Sequence, residues 1–429
     1  EKLASISETL RKSKADATVL TDPSSVAWTF NIRGSDVSHT PLPLAFALVP
    51  AEGRATVFID PDKLDDAARV HIGAVADIGS PQDMERAIAQ YAPNRTIALD
   101  PALAAEKLRQ LVTEAGGKVA EQEDPARVPR ARKNETEVEG SRRAHRRDGA
   151  AITSFLAWLD RQPAGTITEI GAAEKLAQIR VAFAQADGMP LRDISFDTIS
   201  GSGPNAALPH YRVNRQSDRT IGDGELYLID SGGQYQDGTT DITRTVAIGN
   251  VPDEAREKFT LVLKGMIAVS TARFPKGTRG IELDPLARIA LWKAGCDYAH
   301  GTGHGVGSFL AVHEGPQSIS KRGMAVLRDG MIVSNEPGYY REGAFGIRIE
   351  NLLLIEPTTE IPGGDLPMHS FETLTVAPID RRLVVREMLD AGETDWLDRY
   401  HAEVDERLAP VLGDEDRRWL HLATRPLGS

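Results

Sequence analysis

The sequence predicts an α/β (α+β) protein, with an N-terminal α/β domain followed by a larger, strand-rich domain. Three observations carry that expectation. Short apolar runs alternate with polar, helix-spaced segments through residues 1–125; a basic stretch punctuated by Pro125 and Pro129 interrupts the pattern at 124–132; and residues 194–356 turn rich in glycine and β-prone side chains. At 429 residues the chain has length for two or three domains.

In the first domain, placed at residues 1–132, strands are expected at 18–20, 27–32, 44–49, 55–59 and 96–99, and helices at 62–70 and 81–91. Beyond the proline-marked boundary, Asn134 is followed three residues later by Glu137, which reads as a helix N-cap with a supporting acid. The helix it opens spans 135–159 and carries Phe155, Leu156 and Leu159 at helical spacing, and helical pattern continues to about residue 186. The second domain, placed at 133–380, then becomes strand-rich with one helical interruption at 253–273. Residues 381–429 read as a C-terminal helical tail, amphipathic over 381–412. No repeat at solenoid spacing and no low-complexity tract is visible.

Composition excludes several classes. Hydrophobic residues make up 41% and charged residues 26%, so a packed core is expected and disorder is not. A net charge of −12 without a long basic run argues against a nucleic-acid partner. No apolar run approaches the length of a membrane span, and no signal peptide is visible. Cys296 is the only cysteine, which rules out an intrachain disulfide and fits a reducing, cytoplasmic compartment. The chain begins at Glu1 rather than Met, as a fragment or a processed form would.

Four motifs carry chemistry. In the first, an apolar strand-like run ends on Asp230-Ser-Gly-Gly, and a glycine-containing connection leads to Asp241-Ile-Thr-Arg. A hairpin there would bring the two aspartates together, and paired buried carboxylates need a cation or a shared proton. Taken alone, the pair is as readily two turn or cap aspartates. The second is His300-Gly-Thr-Gly-His304-Gly-Val-Gly, followed by His313; with His210 these are four of the ten histidines. Glycines allow close backbone approach around an imidazole that can ligate metal or transfer a proton. The spacing fits neither a P-loop nor a dinucleotide fingerprint. Third, Glu336 closes an apolar segment beside Pro337, held for ligation or simply a solvated turn residue. Fourth, alternation places Arg348 and Glu350 on one face of an otherwise apolar strand, as a site pair or a surface ion pair.

Together the motifs supply four carboxylates and one imidazole. That inventory suits two divalent cations bridged by shared carboxylates and a water, an arrangement that hydrolyses peptides. Oxygen-dominated ligation with a single nitrogen favours Mn²⁺ and leaves Co²⁺, Zn²⁺ and Fe²⁺ open.

In this order, Asp, Asp, His, Glu, Glu, the ligands resemble the superfamily of methionine aminopeptidase, prolidase and aminopeptidase P, whose catalytic domain has the pita-bread fold. The wording His300-Gly-Thr-Gly-His304-Gly-Val-Gly, Ser334-Asn-Glu336-Pro-Gly-Tyr-Tyr340 and Gly343-Ala-Phe-Gly-Ile-Arg348-Ile-Glu350-Asn is similar to aminopeptidase P of the long cytosolic type. The resemblance covers residues 133–380 and, more loosely, Asn31-Ile-Arg-Gly-Ser-Asp36 of a creatinase-like first domain. It implies Asp230 on one metal, Asp241 and Glu350 bridging both, and His304 and Glu336 completing the second. Glu336 would also manage the proton of the attacking, metal-bridging water. His210 and His313 would orient substrate and support the tetrahedral intermediate, His300 and Tyr340 would flank the proline pocket, and Arg348 would stabilise the site. The implied reaction removes the N-terminal residue from peptides with proline in second position, in a homodimer. Long members carry a further N-terminal domain that has no counterpart here; this chain's first domain resembles their second. Prolidase, acting on Xaa-Pro dipeptides, and a metal-free pita-bread binding module are the alternatives; the histidine-loop wording disfavours the first and the complete ligand set the second.

Overall fold

β-prone runs in the first unit, Glu1–Arg130, pair into one six-stranded sheet. The computed structural model describes residues 1–428. The strands are β1 (Ala17–Leu20), β2 (Phe46–Pro50), β3 (Ala55–Phe58), β4 (Ala76–Gly79), β5 (Thr96–Leu99) and β6 (Lys118–Glu121), in the order β4-β3-β2-β1-β5-β6. Here β1 runs antiparallel to β2 and parallel to β5. Helices α1 (Lys2–Ser13), α2 (Pro23–Phe30), α3 (Asp66–Gly73), α4 (Met84–Tyr91) and α5 (Glu106–Glu114) accompany it. The strand expected at 27–32 is instead the end of α2. Asp22 caps that helix through the Ser24 N–H, Pro23 takes its first position, and Ser24 to Phe30 are all buried. A helix buried on every side loses the 3.6-residue alternation and looks like a buried strand. Conversely β4 and β6 carry Asp, Lys and Glu at the sheet edges and gave no apolar signal.

After a short helix α6 (Arg127–Ala131), the second unit, Ala131–Ser429, opens with α7 (Glu135–Asp160). Its capping box is complete: the Asn134 side chain accepts from the Glu137 N–H, and the Glu137 side chain accepts from the Asn134 N–H. α8 (Glu169–Ala186), capped by Thr168, packs on α7. The strands form small antiparallel sheets. One joins β8 (Ile199–Ser202), β9 (Glu225–Ser231) and β12 (Ile242–Ile248); another joins β7 (Asp193–Ile194), β10 (Gly233–Tyr235) and β11 (Gly238–Thr239). β13 (Phe274–Pro275) pairs with β20 (Met368–His369). A five-stranded sheet contains β14 (Gly303–Gly305), β15 (Glu314–Ile319), β16 (Ile332–Asn335), β19 (Asn351–Ile355) and β21 (Phe371–Thr373), while β17 (Gly338–Arg341) and β18 (Phe345–Arg348) form a hairpin.

The helical interruption of this region is double. α9 (Asp253–Ser270) packs against α10 (Gly280–Lys293), which Pro285 conceals from a sequence reading. In the C-terminal segment, α11 (Ala391–Leu408) starts at an Asp390–Glu393 capping box rather than at 381, and α12 (Asp414–Ala423) follows. These helices bury Leu397, Val404 and Leu420 in the same core as Phe259, Val262 and Met266 of α9. Among the described residues no helix is long and apolar enough to cross a membrane.

Candidate metal centre

Asp230 is the penultimate residue of β9, and Asp241 immediately precedes β12. Antiparallel register sets Thr243 opposite Asp230 and Ile242 opposite Ser231, so the two aspartates meet at the same end of the pair. The connection between them is not a simple turn: β10 and β11 form a second hairpin within it and pair with β7. His304 is the middle residue of β14, where Gly303 permits the approach to β16; a Cβ on Gly303 would stand 1.8 Å from the Ser334 carbonyl oxygen. Glu336 follows β16 directly. The single strand expected around Glu350 is split, with β18 ending at Arg348 and β19 starting at Asn351, so Glu350 occupies the step between two sheets. β12 holds that step: the Glu350 N–H donates to the Thr243 carbonyl at 3.2 Å, and the Thr245 hydroxyl donates to the Arg348 carbonyl at 2.9 Å.

The side chains converge on a cavity of about 380 Å³ lined by Asp230, Asp241, His304, Glu336 and Glu350. Ligand atoms of Asp241, His304 and Glu350 all lie within 4.8 Å of one another. His304 Nε2 stands 3.5 Å from Asp241 Oδ2 and 3.4 Å from Glu336 Oε1. Burial first, then the neighbouring carboxylates, pushes the Asp241 and Glu350 carboxyls well above the ordinary range; burial also raises Glu336. Arg348 answers part of this charge, donating to Asp230 Oδ2 at 2.6 Å.

The donor set fits cations. His304 Nδ1 lies 3.0 Å from the Gly305 carbonyl, which can only accept, so Nδ1 carries a proton and Nε2 is the nitrogen that faces two carboxylate oxygens, with a lone pair when the ring is neutral. Lone pairs facing one another at that range repel unless a cation lies between them. Asp230 Oδ1 and Asp241 Oδ1 are buried without a hydrogen-bond partner, which a ligated cation would also satisfy.

Around the cluster, His210, His300, His313 and Arg348 line the cavity, and Tyr340 lies behind His300 and Arg348. His300 Nδ1 meets the Gly301 carbonyl at 2.8 Å, which fixes that proton and leaves Nε2 to accept from the Tyr340 hydroxyl at 2.8 Å. The same hydroxyl accepts from Arg348 at 2.6 Å. Burial, with Arg348 beside it, lowers the His300 pKa to about 4; burial, with His304 beside it, does the same to His313. His313 packs edge-on to His304, ring centroids 4.3 Å apart. Both imidazoles are therefore neutral near pH 7.

Sequence reading missed Phe196, Asp197, Ile199 and Arg212 on the cavity wall, which no motif marks. It also missed Thr243, whose hydroxyl donates to Glu350 Oε2 at 2.8 Å; its position two residues after Asp241, on the same strand face, was the available signal.

Comparison with known proteins gives three family matches: Metallopeptidase family M24 over residues 139–357, the Creatinase/Prolidase N-terminal domain over 1–137, and the C-terminal region of peptidase M24 over 367–427. The chain is 41% identical to a probable Xaa-Pro aminopeptidase P of Tuber melanosporum, covering 99% of this chain and 71% of that protein. It is 42% identical to a protein so named in Laccaria bicolor, covering 100% and 67%. Its fold is similar to the X-prolyl aminopeptidase from Caenorhabditis elegans, described as a cytosolic enzyme with a di-nuclear active site: TM-score 0.93, 35% identity, 99% of this chain and 70% of that one. Prolidase from Pyrococcus horikoshii superposes with TM-score 0.68 at 25% identity over 88% of this chain and 99% of that one.

Proposed function

The chain belongs to metallopeptidase family M24, and we propose that it binds two divalent metal ions between Asp230, Asp241, His304, Glu336 and Glu350 and releases the N-terminal residue of peptides with proline in second position. It is a hydrolase and an aminopeptidase. The observation that carries the reading is the convergence of His304 Nε2 on the Asp241 and Glu336 carboxylates, beside buried Asp230 and Asp241 oxygens that lack a hydrogen-bond partner. The names of the curated relatives support the substrate class, and the di-nuclear site of the Caenorhabditis elegans enzyme supports two ions. Mostly oxygen ligation favours Mn²⁺, with Co²⁺, Zn²⁺ and Fe²⁺ able to occupy the same donors.

When bound, such ions lower the pKa of water and polarise the scissile carbonyl. The other tasks fall to the chain. Asp241 and Glu350, the most deeply buried carboxylates of the set, would be shared between the two ions; Asp230, which Arg348 orients, would complete one, and His304 and Glu336 would complete the other. Glu336, its pKa raised by burial, takes the proton of the attacking water and returns it to the leaving proline nitrogen. His313 and His210 offer N–H donors to the carbonyl oxygen; His313, being neutral, does so without adding charge. His300 and Tyr340, locked to each other, form the wall beside the proline ring. A cytoplasmic location belongs to the same proposal, supported by the cytosolic Caenorhabditis elegans enzyme. So does a homodimer, supported by the family resemblance.

The test is mass-spectrometric product analysis after incubation with Mn²⁺, using an Xaa-Pro-Yaa tripeptide, an Xaa-Pro dipeptide and a chelated control. Release of the first residue from the tripeptide, abolished by chelator, is expected. Cleavage of the dipeptide alone would make the chain a prolidase, and cleavage of neither would overturn the reading.

A further inference from the structure

Helix α10 contributes no residue to the cavity, yet its buried ion pair grips the histidine loop. Arg288 and Asp284 are 1% and 3% exposed, one helical turn apart, and Arg288 bonds Asp284 through Nε at 2.8 Å and through a terminal nitrogen at 3.1 Å. The remaining guanidinium hydrogens go to the loop after the helix. They reach Asp297 Oδ1 at 2.7 Å, the Tyr298 carbonyl at 2.7 Å and the His300 carbonyl at 2.8 Å. All five N–H donors are thereby used, and the guanidinium carbon lies 3.9 Å from the centroid of the Tyr298 ring. Asp284 Oδ1 also accepts from the Thr302 hydroxyl at 2.7 Å, and the Thr302 carbonyl accepts from the Glu336 N–H at 2.8 Å. The clamp therefore holds both sides of Gly301, in a segment whose glycines leave the backbone free to take other conformations.

We propose that Arg288, with Asp284, is a positioning residue of the peptidase reaction: it fixes the backbone at His300 and so sets the imidazole against Tyr340 and Arg348. The path is continuous. Arg288 holds the His300 carbonyl, His300 Nε2 accepts from Tyr340, Tyr340 accepts from Arg348, and Arg348 donates to Asp230. A lysine at 288 keeps the charge beside Asp284 but offers three donors from one point, so it cannot bridge Asp284 and both carbonyls. The loop then samples positions in which the wall of the proline pocket is displaced, and substrate binding suffers before chemistry does. This inference rests on the reading of the site as a proline-directed aminopeptidase.

The experiment compares the Mn²⁺-loaded wild type, Arg288→Lys, His300→Ala and the double variant on an Xaa-Pro-Yaa tripeptide, with metal content measured for each. Arg288→Lys is expected to raise KM roughly tenfold and to change kcat less than about threefold, with metal content unchanged. The double variant should be no worse than His300→Ala, since coupled residues do not add. Asp284→Asn, a milder change at the same clamp, should show the same KM-weighted loss at roughly threefold if Arg288→Lys folds poorly. A second readout needs no turnover: in protein carrying ¹⁵N-labelled histidine, the His300 imidazole signal should shift in Arg288→Lys while that of remote His401 stays. Independent, multiplying effects of Arg288→Lys and His300→Ala, or an unmoved His300 signal, would overturn the inference. Absence of turnover in the wild type would instead overturn the functional reading, with the imidazole signal still deciding the clamp.

Discussion

Replacing Thr243 with valine keeps the β-branched shape of a fully buried side chain while removing its hydroxyl. That hydroxyl donates to Glu350 Oε2 at 2.8 Å and accepts from Arg348 Nε at 3.2 Å, so it orients a proposed bridging carboxylate and ties it to the arginine that pairs with Asp230. A hydrogen bond to a charged group contributes roughly 1.5–3 kcal/mol. At about 1.4 kcal/mol per factor of ten, its loss weakens metal binding by roughly 10–100-fold, which is the range seen for groups that orient metal ligands. Titration calorimetry of chelator-stripped protein with Mn²⁺ reads the change directly. Activity should fall at limiting Mn²⁺ and recover substantially at saturating Mn²⁺, because the five proposed ligands remain. An unchanged Mn²⁺ affinity in a folded Thr243→Val protein would refute the reasoning, since Glu350 would then need no support from Thr243 to ligate.

Asp241→Ala or Glu350→Ala should each abolish binding of the two-ion set and activity with it; elemental analysis showing two ions per chain in an active variant would sink the ligand assignment. His313→Ala should lower kcat by roughly 10²-fold, the scale of one lost donor to a developing oxyanion, with metal content unchanged; unchanged turnover would remove His313 from the reaction. His401, fully buried on α11, accepts from the Ile379 N–H at 3.1 Å, and burial lowers its pKa to about 3. A depressed folded-state pKa means stability is intact above the unfolded value near 6.5 and is lost as pH falls, by about 2 kcal/mol at pH 5. His401→Gln keeps an acceptor but does not titrate, so its denaturation midpoint should fall less between pH 7.5 and pH 5 than that of the wild type. Equal pH dependence would contradict the assignment. Trp396, which stacks on Tyr400 beside His401, is a reporter for this unfolding.

Features written in local chemistry could be read before any coordinates. The Asn134–Glu137 capping box needs only two side chains three residues apart, and it appears where expected. The proposed ligands stand at strand ends or beside glycines, where short-range pattern is strongest, and the shared face of Arg348 and Glu350 survives because both contact Thr243. What escaped was whatever depends on partners distant in the chain. Residues 27–32 are apolar either way, and only burial on all sides of α2 decides for a helix. α10 hides behind Pro285, and the value of Arg288 on it comes from carbonyls 10 and 12 residues further on.

By itself, then, the sequence determined which chemical groups are available, in what order they come, and which local elements carry them, because caps, glycines and alternating strands act over a few residues. Tertiary structure alone decided that a second hairpin lies between Asp230 and Asp241, and that the chain steps from one sheet to another at Glu350. It also decided that His304 turns Nε2 toward the carboxylates and Nδ1 toward the Gly305 carbonyl. Those features rest on pairings and burial between residues as far apart in the chain as Thr243 and Glu350. A carboxylate becomes a candidate ligand only when such pairings remove it from water and set other acceptors beside it.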